Sequence, residues 1–258
     1  MPELPDLQVI SRNLNKKFAN KKVNRVTIYK DKKLNASAED FVNSIQEKVL
    51  KVIKRNGKEL LLEFDNQTTL GIHLMLKGEI HLLDEINIKH KIFEIEFEDN
   101  SGFSVTDFMG QAKPILNTLP STVPDALSDE FNFGYFKPIL NKSSKSNIKK
   151  ILKDQEIVRG IGNAYIDEIL WDARISPLSN ASKIPDDQIQ GLIISAKKIL
   201  NEAIEEIIKI SPNIISGEIR SFLKVHTSNP TSPTNYNIKS IEIDGKKTYF
   251  TDEQVLYE

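Results

Sequence analysis

Cysteine is absent from the 258 residues. That removes disulfides, thiolate metal centres and cysteine nucleophiles at once. Histidine is scarce as well. His73, His81, His90 and His226 are scattered, with no ligand spacing of the H-E-x-x-H kind, so neither a protein-built metal site nor a cofactor is expected. Long apolar runs are also missing: Arg12, Lys16 and Lys17 interrupt the first apolar stretch before it reaches membrane length. This excludes a signal peptide or a spanning helix, and the chain is expected to be cytoplasmic, monomeric and without a membrane partner. An excess of one charge is lacking too. The net charge of −1 carries no global signature of a nucleic-acid partner. Repeats and low-complexity segments are absent.

What remains is ordinary for folded protein, with 39% hydrophobic and 28% charged residues. The length suits two modest domains or one large one. Charge is uneven along the chain. Lysines and arginines crowd the first sixty residues and recur between Lys142 and Lys153, whereas acids gather at 94–99, 125–130 and 202–206. Such clusters are either solvated faces or a local positive groove on a neutral protein.

Residues 5–18 place Leu7, Val9, Ile10, Leu14 and Phe18 near helical spacing. Short apolar, alternating segments follow: KVNRVTIYK, FVNSIQEKVLKVIKR, ELLLEF, TLGIHLML, GEIHLL, KIFEIEFED and GFSVTDF. Turn residues separate several of them, and IFEIEF alternates as a strand with one wet face. The fold class is α+β. An N-terminal antiparallel β-sandwich with a leading helix is expected over 1–125, a helical region over 126–226, and a C-terminal hairpin over 227–258. The junction lies near 120–135. NIKKILKD, GNAYIDEILWDARI, the long segment from Pro185 to Ile210 and SGEIRSFLKVH read as helical. IKSIEIDGKKTYFT reads as a hairpin turning at Asp244-Gly245.

Chemistry enters at the first five residues, MPELP. Excision of Met1 would leave Pro2 as a secondary amine. A terminal amine has a pKa of about 8, against about 10.4 for lysine, so a useful fraction is neutral and nucleophilic at neutral pH. Attack on a sugar C1′ would give a cationic iminium, an electron sink for elimination, with Glu3 beside it to exchange protons. A bare Pro-Glu pair reads equally as a helix start. Two further segments bear on the choice. RNGKELLLEF places Lys58 after a glycine turn, and VRGIGNAYIDEILWDARISP opens a helix with a glycine turn and sets Asn163 at the cap position. Free N–H groups at such a turn suit a phosphate.

Together, and in this order, MPELP, RNGKELLLEF, IHLMLKG, PDALSDEF, GIGNAYIDEILWDARISP, FLKVH and GKKTYFT resemble the formamidopyrimidine-DNA glycosylase/endonuclease VIII family of base-excision repair enzymes. The resemblance covers nearly the whole chain. It implies a bifunctional DNA glycosylase and AP lyase acting on damaged double-stranded DNA, with Pro2 as the Schiff-base nucleophile and Glu3 as the proton shuttle. Lys58 would hold a phosphate and assist proton transfer, and base extrusion would precede chemistry. Gly162 and Asn163, in the helix–two-turn–helix motif, would grip a backbone phosphate. Lys246 would stand for the arginine of the finger hairpin, keeping the charge but not the bidentate fork. Leu76 or Met75 would fill the void left by the extruded base, and Phe108 with Met109 would wedge the opposite strand.

Departures from the family pattern are equally visible. Thr251 and Gln254 fall where two of the family's four zinc-binding cysteines would be, so the finger is expected to be zincless and to rely on packing of Ile241, Ile243, Tyr249, Phe250, Val255 and Leu256. The wedge loop reads DFMGQAK and has no arginine. The stretch KISPNIISGE is short where a loop caps 8-oxoguanine, which leans toward oxidised pyrimidines, hydantoins or abasic sites. A relative that binds distorted or abasic DNA with little catalysis is the alternative, and a two-domain protein of unrelated function the bland reading. His73 and Trp171 are expected to be structural. Glu168 is left open, with a structural acid binding back to the first domain as the reading offered.

Overall fold

In the computed structural model, residues 1–119 and 121–258 are described; Pro120, at the edge of the expected junction, lies outside the described residues. The chain divides into two compact units rather than three segments. One comprises Met1–Pro120 and Ile207–Glu218, the other Ser121–Glu206 and Ile219–Glu258. The short stretch after the long helix therefore belongs with the N-terminal half, and the C-terminal hairpin belongs with the helices.

The first unit opens with α1 (Leu4–Phe18), whose buried stripe runs through Leu7, Ile10, Leu14 and Phe18. Its strands are β1 (Val23–Ile28), β2 (Leu50–Asn56), β3 (Glu59–Phe64), β4 (Thr69–His73), β5 (Gly78–Leu82), β6 (Lys91–Phe97), β7 (Gly102–Asp107) and β8 (Lys113–Leu116). They form two four-stranded antiparallel sheets, ordered β1-β6-β7-β5 and β2-β3-β4-β8. Both sheets contribute to one core, in which Phe18 stacks on Phe97 at 5.1 Å and lies 5.5 Å from Phe103. Ile214 and Ile215 of the returning segment pack against this core. Asn13 of α1 donates to the carbonyls of Pro212 and Ile214 at 3.0 and 2.7 Å.

Two expectations for this half need correction. The first part of FVNSIQEKVLKVIKR is a helix, α2 (Ala38–Ile45), not a strand. Ser37 caps it by accepting from Asp40 N, Glu39 and Asp40 sit in its first turn, and Phe41 and Ile45, four residues apart, share its buried face. The wet face of β6 is also partly covered: Glu94 is buried and pairs with Lys91 at 2.5 Å.

The second unit contains α3 (Phe133–Lys142), α4 (Ile148–Lys153), α5 (Asn163–Asp172) and most of α6 (Asp186–Ile210), then β9 (Lys239–Ile243) and β10 (Lys246–Phe250). Asn132 and Asn147 cap α3 and α4 through their side chains. β9 and β10 pair antiparallel, with Ile243 opposite Lys246. The two-residue turn between them has positive φ at Asp244 (48°) and Gly245 (69°), the geometry that makes Asp-Gly a hairpin turn. The segment SGEIRSFLKVH forms no helix. The N–H groups of Lys224, Val225 and His226 go to the Glu168 carboxylate at 2.8–2.9 Å instead of to helical carbonyls. Among the described residues no helix is long and apolar enough to cross a membrane.

Candidate functional site

In the first unit the chemistry gathers where α1 begins. Glu3 is the N-cap of α1, and Pro5 stands in its first turn. Glu3 and Asp6 cap each other: Glu3 N donates to Asp6 Oδ2 at 2.9 Å, and the Glu3 side chain accepts from Asp6 N. Pro2 is buried and Glu3 is 6% exposed. A carboxylate at a helix N-terminus is stabilised by the converging N–H groups. The helix-start reading and the catalytic reading of Pro-Glu are therefore compatible. The terminal ammonium of Met1 pairs with Glu218 at 2.9 Å.

Lys58 sits at the tip of the β2–β3 hairpin, where Asn56 pairs with Glu59 and Gly57 takes a φ of 61°. Only glycine adopts that backbone cheaply. Arg55 braces the hairpin, donating to Gln8 Oε1 of α1 at 2.9 Å and to Gly57 O at 3.1 Å. Burial lowers the pKa of Lys58 from its ordinary 10.5, and the nearby Glu3 carboxylate opposes that shift. Glu3 and Lys58 are thus an acid–base pair within electrostatic reach of each other. His73, at the end of β4, faces the same group. Burial lowers its pKa, and Lys58 and Lys113 lower it further. Its Nδ1 accepts from Met75 N at 3.0 Å. The neutral ring then carries its proton on Nε2, where it can donate. His73, expected to be structural, therefore belongs beside Lys58. Its alternation with Ile72 and Leu74 hid this, because periodicity is blind to what stands at a strand's end.

Two apolar tips leave one end of the β5–β7 ladder, where Gly78 is the register partner of Asp107. One tip is the turn before Gly78. Met75 has a φ of 55°, Leu76 is 47% exposed, and Gly78 N returns to Leu74 O at 2.8 Å. A Cβ on Gly78 would lie 2.2 Å from that carbonyl oxygen, so the turn requires glycine. The other tip follows Asp107. Its carboxylate accepts from Met109 N, Gln111 N and Ala112 N at 2.6–2.8 Å, holding up Phe108, which is 62% exposed. Leu76 and Phe108, far apart in sequence, are therefore presented at one edge.

In the second unit, Gly162 and not Asn163 is the N-cap of α5; Asn163 is the first helical residue. Glycine has no capping oxygen, so Gly162 itself gives α5 no side-chain cap. Asn163 Nδ2 donates to Lys247 O at 3.0 Å, which ties the helix start to the hairpin, while Oδ1 is buried without a hydrogen-bond partner. Lys246 is exposed beside the hairpin turn. Gly162, Asn163 and the hairpin are thus brought together within this unit.

The hairpin is held by acids that the sequence reading missed. Glu253 accepts from Trp171 Nε1 (3.0 Å), Thr234 Oγ1 (2.7 Å), Thr251 Oγ1 (3.1 Å) and Arg174. Desolvation pushes its pKa up, but the hydrogen bonds from Thr234, Trp171, Arg174 and Thr251 prevail and hold it at about 2. Asp167, fully buried in its side chain, accepts from Lys149 Nζ (2.6 Å) and Tyr249 N (3.1 Å) and contacts His226 Nδ1 (2.7 Å). Glu168 secures 224–226 within the same unit, so its place is structural; burial raises its pKa against three N–H donors. Trp171 is buried, as expected, and its indole serves Glu253. The hint was in the sequence: Asp167 and Glu168 stand together in the otherwise apolar run from Ala164 to Trp171, and buried acids must be paired.

The zinc that the resemblance suggests does not fit these residues. Gln254 spends Oε1 on Thr251 N and Nε2 on Ile175 O, both at 2.9 Å. Thr251 Oγ1 is bound to Glu253. Among the described residues no group of three metal-binding side chains converges. The packing expectation also needs correction. Ile243 is buried, but Val255 and Leu256 are 50% and 45% exposed. Val255 works through its backbone, exchanging hydrogen bonds with Arg174 O and Ser176 N at 2.8 Å.

Comparison with known proteins agrees with this geometry. The family model described as the formamidopyrimidine-DNA glycosylase N-terminal domain matches residues 1–111, and that described as the formamidopyrimidine-DNA glycosylase H2TH domain matches 123–212. A formamidopyrimidine-DNA glycosylase of Carboxydothermus hydrogenoformans is 35% identical over 80% of this chain and 78% of its own length. One of Lactobacillus gasseri is 30% identical over the full length of both. Among solved structures, the Lactococcus lactis protein in complex with DNA containing an abasic site superposes with a TM-score of 0.86. It is 25% identical, with 98% of this chain and 99% of that one covered.

Proposed function

The chain belongs to the formamidopyrimidine-DNA glycosylase family, and from that premise we infer that it is a base-excision repair DNA glycosylase with AP lyase activity. Its substrate is damaged double-stranded DNA, and it acts as a monomer in the cytoplasm, on the nucleoid. The observation that carries this reading is the meeting of Pro2, Glu3 and Lys58 in one unit, at a helix start that retains a buried carboxylate beside a desolvated lysine.

The chemistry follows from those groups. With Met1 attached, the Pro2 nitrogen is an amide whose lone pair is delocalised, so removal of Met1 creates the nucleophile. The free imino nitrogen then attacks C1′ of the damaged nucleotide. The bond from C1′ to the base breaks, and the base leaves with the electron pair and a proton. Ring opening of the sugar gives an iminium between Pro2 and C1′. The cation acidifies the C2′ protons, and loss of one expels the 3′ phosphate by β-elimination. Water finally hydrolyses the iminium and regenerates the amine. Glu3 is placed to carry protons in these steps. Lys58 is suited to hold a backbone phosphate and, through its lowered pKa, to join the transfers. His73 offers Nε2–H to the same phosphate region. Gly162, Asn163 and Lys246 serve the backbone from the second unit, while Leu76 fills the space vacated by the extruded base and Phe108 wedges the opposite strand. The short 209–218 stretch favours oxidised pyrimidines, hydantoins or abasic sites over 8-oxoguanine.

Borohydride reduction of the protein mixed with an abasic-site duplex tests the reading. A covalent adduct is expected from the protein lacking Met1, and its loss in Pro2→Gly and Glu3→Gln. Retained binding with no adduct in the unmodified protein would support the alternative, a damaged-DNA binding relative without turnover.

A further inference from the structure

Between β1 and α2 the chain runs Tyr29-Lys30-Asp31-Lys32-Lys33, every residue exposed. This loop and the 109–112 segment line a cleft of about 590 Å³ in the first unit. Lys30 Nζ stands 3.8 Å from the point where a side chain on Gly110 would begin. Among the described residues, the ammonium groups of Lys30, Lys32 and Lys33 have no ion-pair or hydrogen-bond partner, in contrast to Lys21, Lys22, Lys54 and Lys91 of the same unit, which are each paired with a carboxylate. Among the described residues that line the cleft, Asp31 is the one acid. Asp107, at the foot of the adjoining loop, has its carboxylate committed to three backbone N–H groups.

Three like charges within four residues repel one another and, unpaired, contribute nothing to the fold. They raise the local potential and attract a polyanion. The cleft adjoins Phe108 and Met109, the exposed apolar tip, and the tip itself, DFMGQAK, brings no arginine. A wedge entering a duplex meets backbone phosphates on either side of the opened step. A cation beside it must then come from another loop, and Lys30 over Gly110 is so placed.

We propose that this cleft binds the sugar–phosphate backbone of duplex DNA next to the point where Phe108 enters, with Lys30, Lys32 and Lys33 supplying the charge the wedge loop lacks. The proposal rests on the DNA-repair reading above and adds to it a contact surface from a different part of the first unit.

The test is the salt dependence of binding to a duplex carrying a tetrahydrofuran abasic analogue, for the unmodified protein and for Lys30→Ala/Lys32→Ala/Lys33→Ala. Each phosphate contact contributes roughly 0.9 to the slope of log Kd against log salt. Two to three lost contacts should therefore take about 1.8 to 2.7 from the slope of the triple variant. Between about 50 and 200 mM KCl the unmodified protein should lose roughly 10- to 40-fold more affinity than the variant. Lys30→Arg/Lys32→Arg/Lys33→Arg should keep the full slope. An alanine variant with an unchanged slope, or an arginine variant that loses it as the alanine one does, overturns the cleft. The underlying reading is tested separately by borohydride trapping of the unmodified protein. No adduct there would defeat the glycosylase assignment, whereas a normal adduct with an unchanged slope would defeat the cleft alone.

Discussion

Replacing Glu253 by glutamine keeps its shape and removes its charge. In the native protein that carboxylate takes hydrogen bonds from Trp171, Thr234, Thr251 and Arg174, with its side chain only 8% exposed. A glutamine amide has one accepting oxygen and turns two N–H groups toward donors. Hydrogen bonds to a charged group contribute about 1.5–3 kcal/mol each. The Arg174 partner is 44% exposed, so its share is screened and small. Losing the charge-assisted part of the Trp171 and Thr234 bonds then costs about 2–3 kcal/mol. The single tryptophan is Trp171, so its fluorescence reports the loss directly. Glu253→Gln should lower the thermal midpoint seen by that signal by roughly 5–10 °C, while chelator leaves the unmodified protein's midpoint unmoved. The pH dependence gives an independent check. Because the folded pKa of Glu253 is held at about 2, below the ordinary 4.5, its contribution is complete above 4.5 and is lost as pH falls from there toward 2. The variant should lack that part of the acid transition. Equal midpoints and equal acid profiles for the two proteins would refute the idea that this carboxylate takes the place of a metal tether.

Other consequences can be measured beside it. Lys149→Met leaves Asp167 buried without its cation and should cost about 3–5 kcal/mol, read as a lower urea midpoint by the same fluorescence. Lys58→Met should abolish strand cleavage yet raise the melting temperature of the first unit at neutral pH, because it removes a desolvated cation. Correspondingly, the folded chain holds the Lys58 proton less tightly than the unfolded chain, so stability should rise with pH through the window ending at 10.5; a melting curve flat in that window would contradict the burial argument. Protein retaining Met1, identified by mass spectrometry, should give no borohydride adduct. Leu76→Ala with Phe108→Ala should slow cleavage of duplex abasic DNA but spare single-stranded abasic DNA. Both side chains are exposed, so stability should change by less than about 0.5 kcal/mol; an equal loss on both substrates would count against a wedge role.

Much of this protein is written in local signals. The helix from Leu4 to Phe18 follows from apolar spacing, and most strands from short alternating runs between turn residues. The Asp244-Gly245 hairpin follows from a turn only a few residues permit. Pro2, Glu3 and Lys58 stand out because each sits in a short motif whose backbone has a specific task. Where local signals compete, sequence failed. Phe41 and Ile45 satisfy either periodicity, and only the Ser37 cap and the core decide for a helix. Residues 217–226 carry a helical pattern that the Glu168 carboxylate overrides by claiming three backbone N–H groups.

The amino-acid order by itself determined the α+β class, the chemistry available at the start of the chain and the absence of any thiolate to hold the finger. Only the tertiary structure decided that Glu253 and Asp167 anchor the hairpin, that Leu76 and Phe108 share one edge, and that 207–218 belongs with the N-terminal sheets. The physical reason is range. Caps, turns and periodicity act over a few residues, whereas desolvated charges and strand register are settled by groups far apart in the chain, as in the bond from Ile80 N to Ser216 Oγ, 136 positions away.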